Sequence, residues 1–255
     1  MTLDLASVLL QWAAGGLFGL WITARHRVVG VGYGWLLRST FAVLAAVGVA
    51  AGVANDDGGS GAALRDGAGL AMVLLALCAL AVSVLRRRTP ERIPPALDLL
   101  PAVAGAVALV GAADVLGGPY ALSLARLVVG AVFLGLVTDA MLLGHWYLVQ
   151  PGLGREPLRE MVRLAALAWP VQVAVLLIPT GMASVLSGSI DDGYGGLLGW
   201  TWIVSALTTI VLLGVTWLAL KERMYSAVMA ATGLLYLAIL TAFGTDVLAR
   251  ALLAG

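Results

Sequence analysis

The sequence predicts an all-α integral membrane protein, a polytopic bundle of about eight transmembrane helices. Three observations carry that reading. Of 255 residues, 61% are apolar and only 11% are charged, against roughly 45–50% and 25% in soluble domains. The apolar residues fall in continuous runs of about 20, the length that crosses a bilayer as helix, and they do not alternate as in barrel strands. The chain is also long enough for eight such runs with short connections.

The runs occupy about 4–24, 34–54, 67–85, 96–116, 121–149, 161–186, 197–220 and 225–249. The first has no basic residue before it and meets Arg25 only at its end, the reverse of a cleaved signal, so it reads as a retained span. The second carries Arg38; counting it out leaves seven spans as the rival. The later runs are separated by turn-forming or charged stretches such as Gly117-Gly118-Pro119 and Asp191-Asp192-Gly193. The fifth is the longest, about 43 Å if wholly helical, so it tilts or protrudes. In the sixth, Pro170 and Pro179 remove donors and release the carbonyls near Ala166 and Val175, which need other partners.

Placing the connections after runs one, three, five and seven on one side gathers Arg25, Arg27, Arg38, Arg86, Arg87, Arg88, Arg92, Arg155, Arg159, Arg163, Lys221 and Arg223 there. That is 12 of the 15 basic residues, leaving Arg65, Arg126 and Arg250. The positive-inside rule makes the first group cytoplasmic, so both termini are expected on the outer face of a cell (inner) membrane. Net charge is +1, which gives no basic surface for nucleic acid. The lone Cys78 and two histidines cannot form a closed structural zinc site.

The chain is read as one transmembrane domain with a candidate duplication, halves 1–118 and 119–255. Asp56-Asp57-Gly58 and Asp191-Asp192-Gly193 lie 135 residues apart, and the same offset maps Arg86 onto Lys221. Gly16-Leu17-Phe18-Gly19-Leu20 also resembles Phe133-Leu134-Gly135-Leu136. Alternating topology by itself produces alternating charge, so both explanations stand at this point.

Candidate chemistry rests on few residues. His145, beside Trp146 and Tyr147 near the inner end of the fifth run, could ligate haem iron, donate to a quinone carbonyl or relay protons; an interfacial histidine in an aromatic belt is the plainer role. His26, between Arg25 and Arg27, falls at similar depth. Two imidazoles there could bracket a cofactor whose carboxylates pair with the arginines, or form a solvated basic cluster. Asp139 is a carboxylate inside a span, expected either in a proton or polar pathway or in an interhelical hydrogen bond. It stands about 120° and about 9 Å from His145 on an ideal helix, so the two do not share a face. Gln172 is a lesser member of the same pathway, with Tyr236 and Thr232 as further polar positions. Asp98, Asp114 and Asp246, near run ends, read as snorkelling or capping groups. Gly15 with Gly19, and Gly48 with Gly52, have the spacing of close helix contacts. No phosphate loop, calcium loop or hydrolase nucleophile motif is present.

Three functions follow. The first is a membrane subunit of a redox or respiratory-type complex, interacting with quinone or haem near the cytoplasmic side and docking partner subunits that carry the soluble chemistry. In helix count this layout resembles the eight-helix quinone-binding subunits of the polysulfide-reductase type. The second is a small-solute transporter or channel. The third is a structural or assembly subunit. Whether the chain is an enzyme is left open, and the bilayer is its one assured partner.

Overall fold

The computed structural model describes residues 4–55, 58–90, 93–177 and 181–253, and these are all-helical. In chain order the helices are α1 Leu5–Ala24, α2 Val31–Asn55, α3 Gly59–Leu85, α4 Ala96–Val115, α5 Tyr120–Trp146, α6 Glu156–Leu177, the single-turn α7 Met182–Leu186, α8 Leu197–Ala219 and α9 Tyr225–Leu252. All but α7 are long and apolar enough to span a bilayer, which makes eight candidate spans among the described residues.

The rival count of seven fails at α2, an unbroken helix of 25 residues. Arg38 does not end it, because the guanidinium turns inward onto Asp98 of α4. Two boundaries differ from the hydropathy reading. Helix α3 begins at Gly59 rather than near 67, so Arg65 and Asp66 lie within it. Helix α6 runs from Glu156 to Leu177 with Pro170 inside, and the chain then makes α7 instead of continuing to 186. Asp56, Asp57, Arg92 and Pro179 lie outside the described residues.

Helices α1 and α5 form the centre, each buried along most of its length. Around them the helices close in two rings of the same order. Helix α1 packs on α2, α2 on α3, α3 on α4 and α4 back on α1; α5, α6, α8 and α9 repeat the circuit. The rings join chiefly where α1 crosses α5, and there the contact is main chain on main chain. A methyl group added to Gly15 would overlap the Ala131 carbonyl, and one on Gly135 would overlap the Gly15 backbone. Glycine is required because the van der Waals contact that holds lipid-embedded helices together grows as the backbones approach.

The connections rich in arginine meet at one end of the bundle. Arg27 donates to the Ile93 carbonyl, Gln150 accepts from Gly30 N–H and donates to the Val28 carbonyl, and Arg155 donates to the Arg223 and Met224 carbonyls. At the opposite end two carboxylates cap helices. Asp4 accepts from the backbone N–H groups of Ala6 and Ser7. Asp192, from the acidic turn noted in the sequence, grips the start of α8: Oδ1 accepts from Gly196 N–H at 2.8 Å and Oδ2 from Leu198 N–H at 2.9 Å. Gly196 takes a left-handed conformation (φ 87°) that folds the chain back over that carboxylate.

Two outcomes follow. Gly15→Ala, although helix-favouring in isolation, should lower stability in detergent by about 1–3 kcal/mol, the usual cost of overpacking; unchanged unfolding would contradict the close crossing. The N–H groups of Gly196 and its neighbours hold the Asp192 carboxyl below the usual carboxylate range. Its folded pKa is therefore lower than its unfolded one, so the stabilisation is complete above the unfolded value and is lost as pH falls through the folded value. The protection factors of the Leu198 and Gly199 amides, exchange corrected for the intrinsic rate at each pH, should fall in acid, and the Asp192→Asn variant should lack that fall.

Candidate functional site

Polar chemistry in this bundle collects at its two ends. At the basic end, a cavity of about 430 Å³ opens between the α1–α2 turn, the first turns of α2 and the α3–α4 connection. Leu20, Val31 and Ile93 contribute apolar wall, and Pro90, Pro94 and Pro95 stiffen the connection across its mouth. Arg27 enters the wall from a left-handed backbone position (φ 55°), a conformation uncommon outside glycine.

Arg38 and Asp98 line the cavity together and are both buried. Nε donates to Oδ1 at 2.7 Å and Nη2 to Oδ2 at 2.9 Å, a bidentate fork that fixes the plane of the guanidinium. The third nitrogen, Nη1, is buried without a hydrogen-bond partner. It lies over Gly34, where a Cβ would come within 2.8 Å of it. The missing side chain at Gly34, itself part of the lining, is what gives that nitrogen room. A donor buried unpaired costs about 1–3 kcal/mol, more when charged, so an acceptor oxygen that reached Nη1 would be held there.

Tyr33 connects this hollow to Asp139. Its side chain lines the cavity, and its hydroxyl donates to the Asp139 carbonyl at 3.2 Å. The Asp139 carboxylate is fully buried and neither oxygen has a hydrogen-bond partner. It packs against Gly19 of α1, where any side chain would displace it. The glycine pattern in α1 thus serves two contacts, Gly15 for the backbone of α5 and Gly19 for this carboxylate.

The remaining sequence candidates separate. His26 meets Glu160 of α6 at 2.8 Å, and Arg25 binds the same carboxylate through its other oxygen. His145 is exposed, and the hydrogen bonds found join it to neither His26 nor Arg25. Trp146 is close to the cavity without lining it: its ring packs on Tyr33 at 5.9 Å, and its N–H donates to Gln150. Tyr147 is buried and donates to the Gly154 carbonyl at 2.6 Å, pinning the α5–α6 connection; burial pushes its hydroxyl pKa up to about 12. Among the described residues no group of three or more His, Cys, Asp or Glu could hold a metal ion.

Gln172 lies in the second polar zone, towards the opposite end. Its amide donates to Asp246 Oδ1, as does that of Gln11 from α1, both at 3.4 Å. Asp246 Oδ2 accepts from Arg250 Nε at 2.7 Å, and Arg250 also donates to Gln11 Oε1. Beside it, Arg126 Nε donates at 2.8 Å to the Val175 carbonyl, one of the two carbonyls the prolines of this segment were expected to free. Between the zones stands the Gly15–Gly135 crossing.

Sequence reasoning missed Arg38, Asp98, Asp246 and Arg250 as buried partners. The i,i+4 spacing of Asp246 and Arg250 was the readable sign. Arg38 with Asp98 gave only a weaker one, two opposite charges inside runs that begin at the same side. No family model matches the chain, and comparison with curated proteins and with solved structures finds no match.

Removing one partner of the Arg38–Asp98 pair, as in Asp98→Asn, should cost about 3–5 kcal/mol by stranding the other charge, whereas Arg38→Met with Asp98→Leu should recover most of it. Equal losses in the single and double variants, read by chemical denaturation, would show that the charges are not coupled.

Proposed function

We propose that this chain is a membrane-embedded subunit of a redox assembly and binds a quinone-class molecule in the basic-end cavity. The observation that carries the reading is Arg38 Nη1, a buried donor with no hydrogen-bond partner among the described residues, on a side chain that lines an apolar hollow. A quinone has the complementary form, with carbonyl acceptors on a flat ring and an apolar tail. Arg38 holds one carbonyl, Asp98 holds Arg38 in plane, and Leu20, Val31 and Ile93 pack the ring. When bound, the quinone accepts or gives up electron pairs with protons. Tyr33 then stands between the ring and Asp139, where a carboxyl group could exchange a proton without competing hydrogen bonds. The connections at this end are short, so electrons come from a partner subunit docked there, on the cytoplasmic side by the positive-inside rule.

Quinone fits this site better than haem. A haem iron needs an imidazole with space beside it; His26 is engaged by Glu160, and His145 faces away from the bundle. The unpartnered Asp139 also favours a second reading, a proton- or solute-translocating protein. The glycine crossing stands against a continuous path, because it closes the space between Asp139 and the Gln11–Asp246 zone.

The test is quinone binding by the purified protein. A short-tailed ubiquinone or menaquinone analogue at 100 times its Kd should stabilise the protein by about 2.7 kcal/mol. Ala24→Phe, which fills the cavity and leaves the ion pair intact, should weaken binding at least tenfold, about 1.4 kcal/mol. A well-folded protein that no quinone stabilises would refute the assignment; binding unaffected by Ala24→Phe would move it elsewhere.

A further inference from the structure

Helices α6 and α8 are bridged at two levels and separated between them. At the basic end, Arg159 donates through Nε and Nη2 to the Leu220 carbonyl, closing off the end of α8. Thirteen residues into α6, Trp169 donates to the Ala206 carbonyl at 2.9 Å, and this second bridge lies about 20 Å from the helix start. The crevice beside α6 and α8, which reaches from Leu167 and Trp217 out to Gly154 and to His26 and Val28 of the α1–α2 turn, has a volume of about 950 Å³. Its lining on α6, from Glu156 to Leu167, covers about 16 Å of helix, comparable with one leaflet of the hydrocarbon, about 15 Å.

Two side-chain stripes line it. On α6, Arg163, Leu164 and Leu167 follow one another at the spacing of a single helix face; on α8, Trp217 lies one turn below Lys221. Each stripe has a cation nearer the basic end and apolar surface deeper in. The carboxylates of the crevice are already committed, Glu156 to Arg159 and Glu160 to Arg25 and His26. Arg163 and Lys221 form no hydrogen bond or ion pair with the described residues, while Leu167 is exposed along the groove.

We propose that this crevice is a binding site for an acidic glycerophospholipid, its phosphate held between Arg163 and Lys221 and an acyl chain lying against Leu164, Leu167 and Trp217. Charge and polarity are matched along the length of such a lipid, and a zwitterionic lipid would bring a third cation against the two already there. Basic pockets between transmembrane helices recognise anionic headgroups in this way. The crevice and the quinone cavity meet only at Val28, and none of the five residues assigned to the lipid lines that cavity.

The experiment is native mass spectrometry of protein reconstituted in vesicles of equal phosphatidylglycerol and phosphatidylcholine. Wild-type protein should retain phosphatidylglycerol about tenfold over phosphatidylcholine. Arg163→Gln with Lys221→Gln should bring retention to parity, while Arg87→Gln with Arg88→Gln, which removes the same charge elsewhere on that end, should not. Leu167→Trp, which blocks the acyl groove and keeps both cations, should also reduce retention and decides the matter if the double variant fails to fold. Equal retention of the two lipids by wild-type protein would overturn the proposal. So would equal loss in the Arg87/Arg88 control, or displacement of the lipid by millimolar inorganic phosphate, which would make this a site for a soluble anion.

Discussion

Most charges that this chain carries into the bilayer are met by another part of the chain, because the hydrocarbon offers them nothing. That constraint organises the bundle. Arg38 is met by Asp98, Arg250 by Asp246 and Gln11, Arg65 by Asp66 and Asp4, and Arg126 by the Val175 carbonyl. Most of these interactions reach between helices: α2 to α4, α1 to α9, α3 to the cap of α1, and α5 to α6. Buried ion pairs add little net stability compared with apolar packing. They do discriminate, because an alternative arrangement of the same helices would strand a charge. The two groups of greatest functional interest, Arg38 Nη1 and the Asp139 carboxylate, are among the places where the matching was left incomplete.

The spans were legible in the sequence because crossing a bilayer is a requirement on length and polarity, and both can be read along a line. Glycine spacing was legible for the same kind of reason: Gly15 and Gly19 lie on one face of α1 whatever α1 touches. Partnership across helices was not, since it depends on how each helix is rotated about its axis. Asp98 and Asp246 look like end groups when their positions are read singly, and only packing turns them inward. His26 and His145 illustrate the converse. Their similar depth follows from topology, but depth says nothing of azimuth, and the fold gives one of them to Glu160 and leaves the other exposed. At Arg65 and Asp66 the sequence misleads more directly, because an ion pair lowers the mean hydropathy of a segment while making it suitable for burial.

The two rings follow one contact order, yet their basic ends are finished differently. In the first, the proline-rich α3–α4 connection folds over α2, and the space beneath becomes a hollow walled by protein. In the second, the short turn between α8 and α9 provides no such cover, and the corresponding space lies open beside α6. A common helix arrangement therefore presents one recess suited to a small molecule and another suited to the surrounding lipid. The difference lies in the connections, where insertions disturb a helical bundle least.

The bare seam between α1 and α5 has a consequence for how such a sequence can change. Elsewhere in the core, an enlarged residue can be accommodated when a neighbour adopts another rotamer. Where Gly15 and Gly135 meet there are no rotamers to adopt, and any added carbon forces whole helices apart. Variation is thereby steered to the lipid-facing sides, where one apolar residue substitutes for another at little cost, and the middle of the molecule becomes the part with the least freedom to drift.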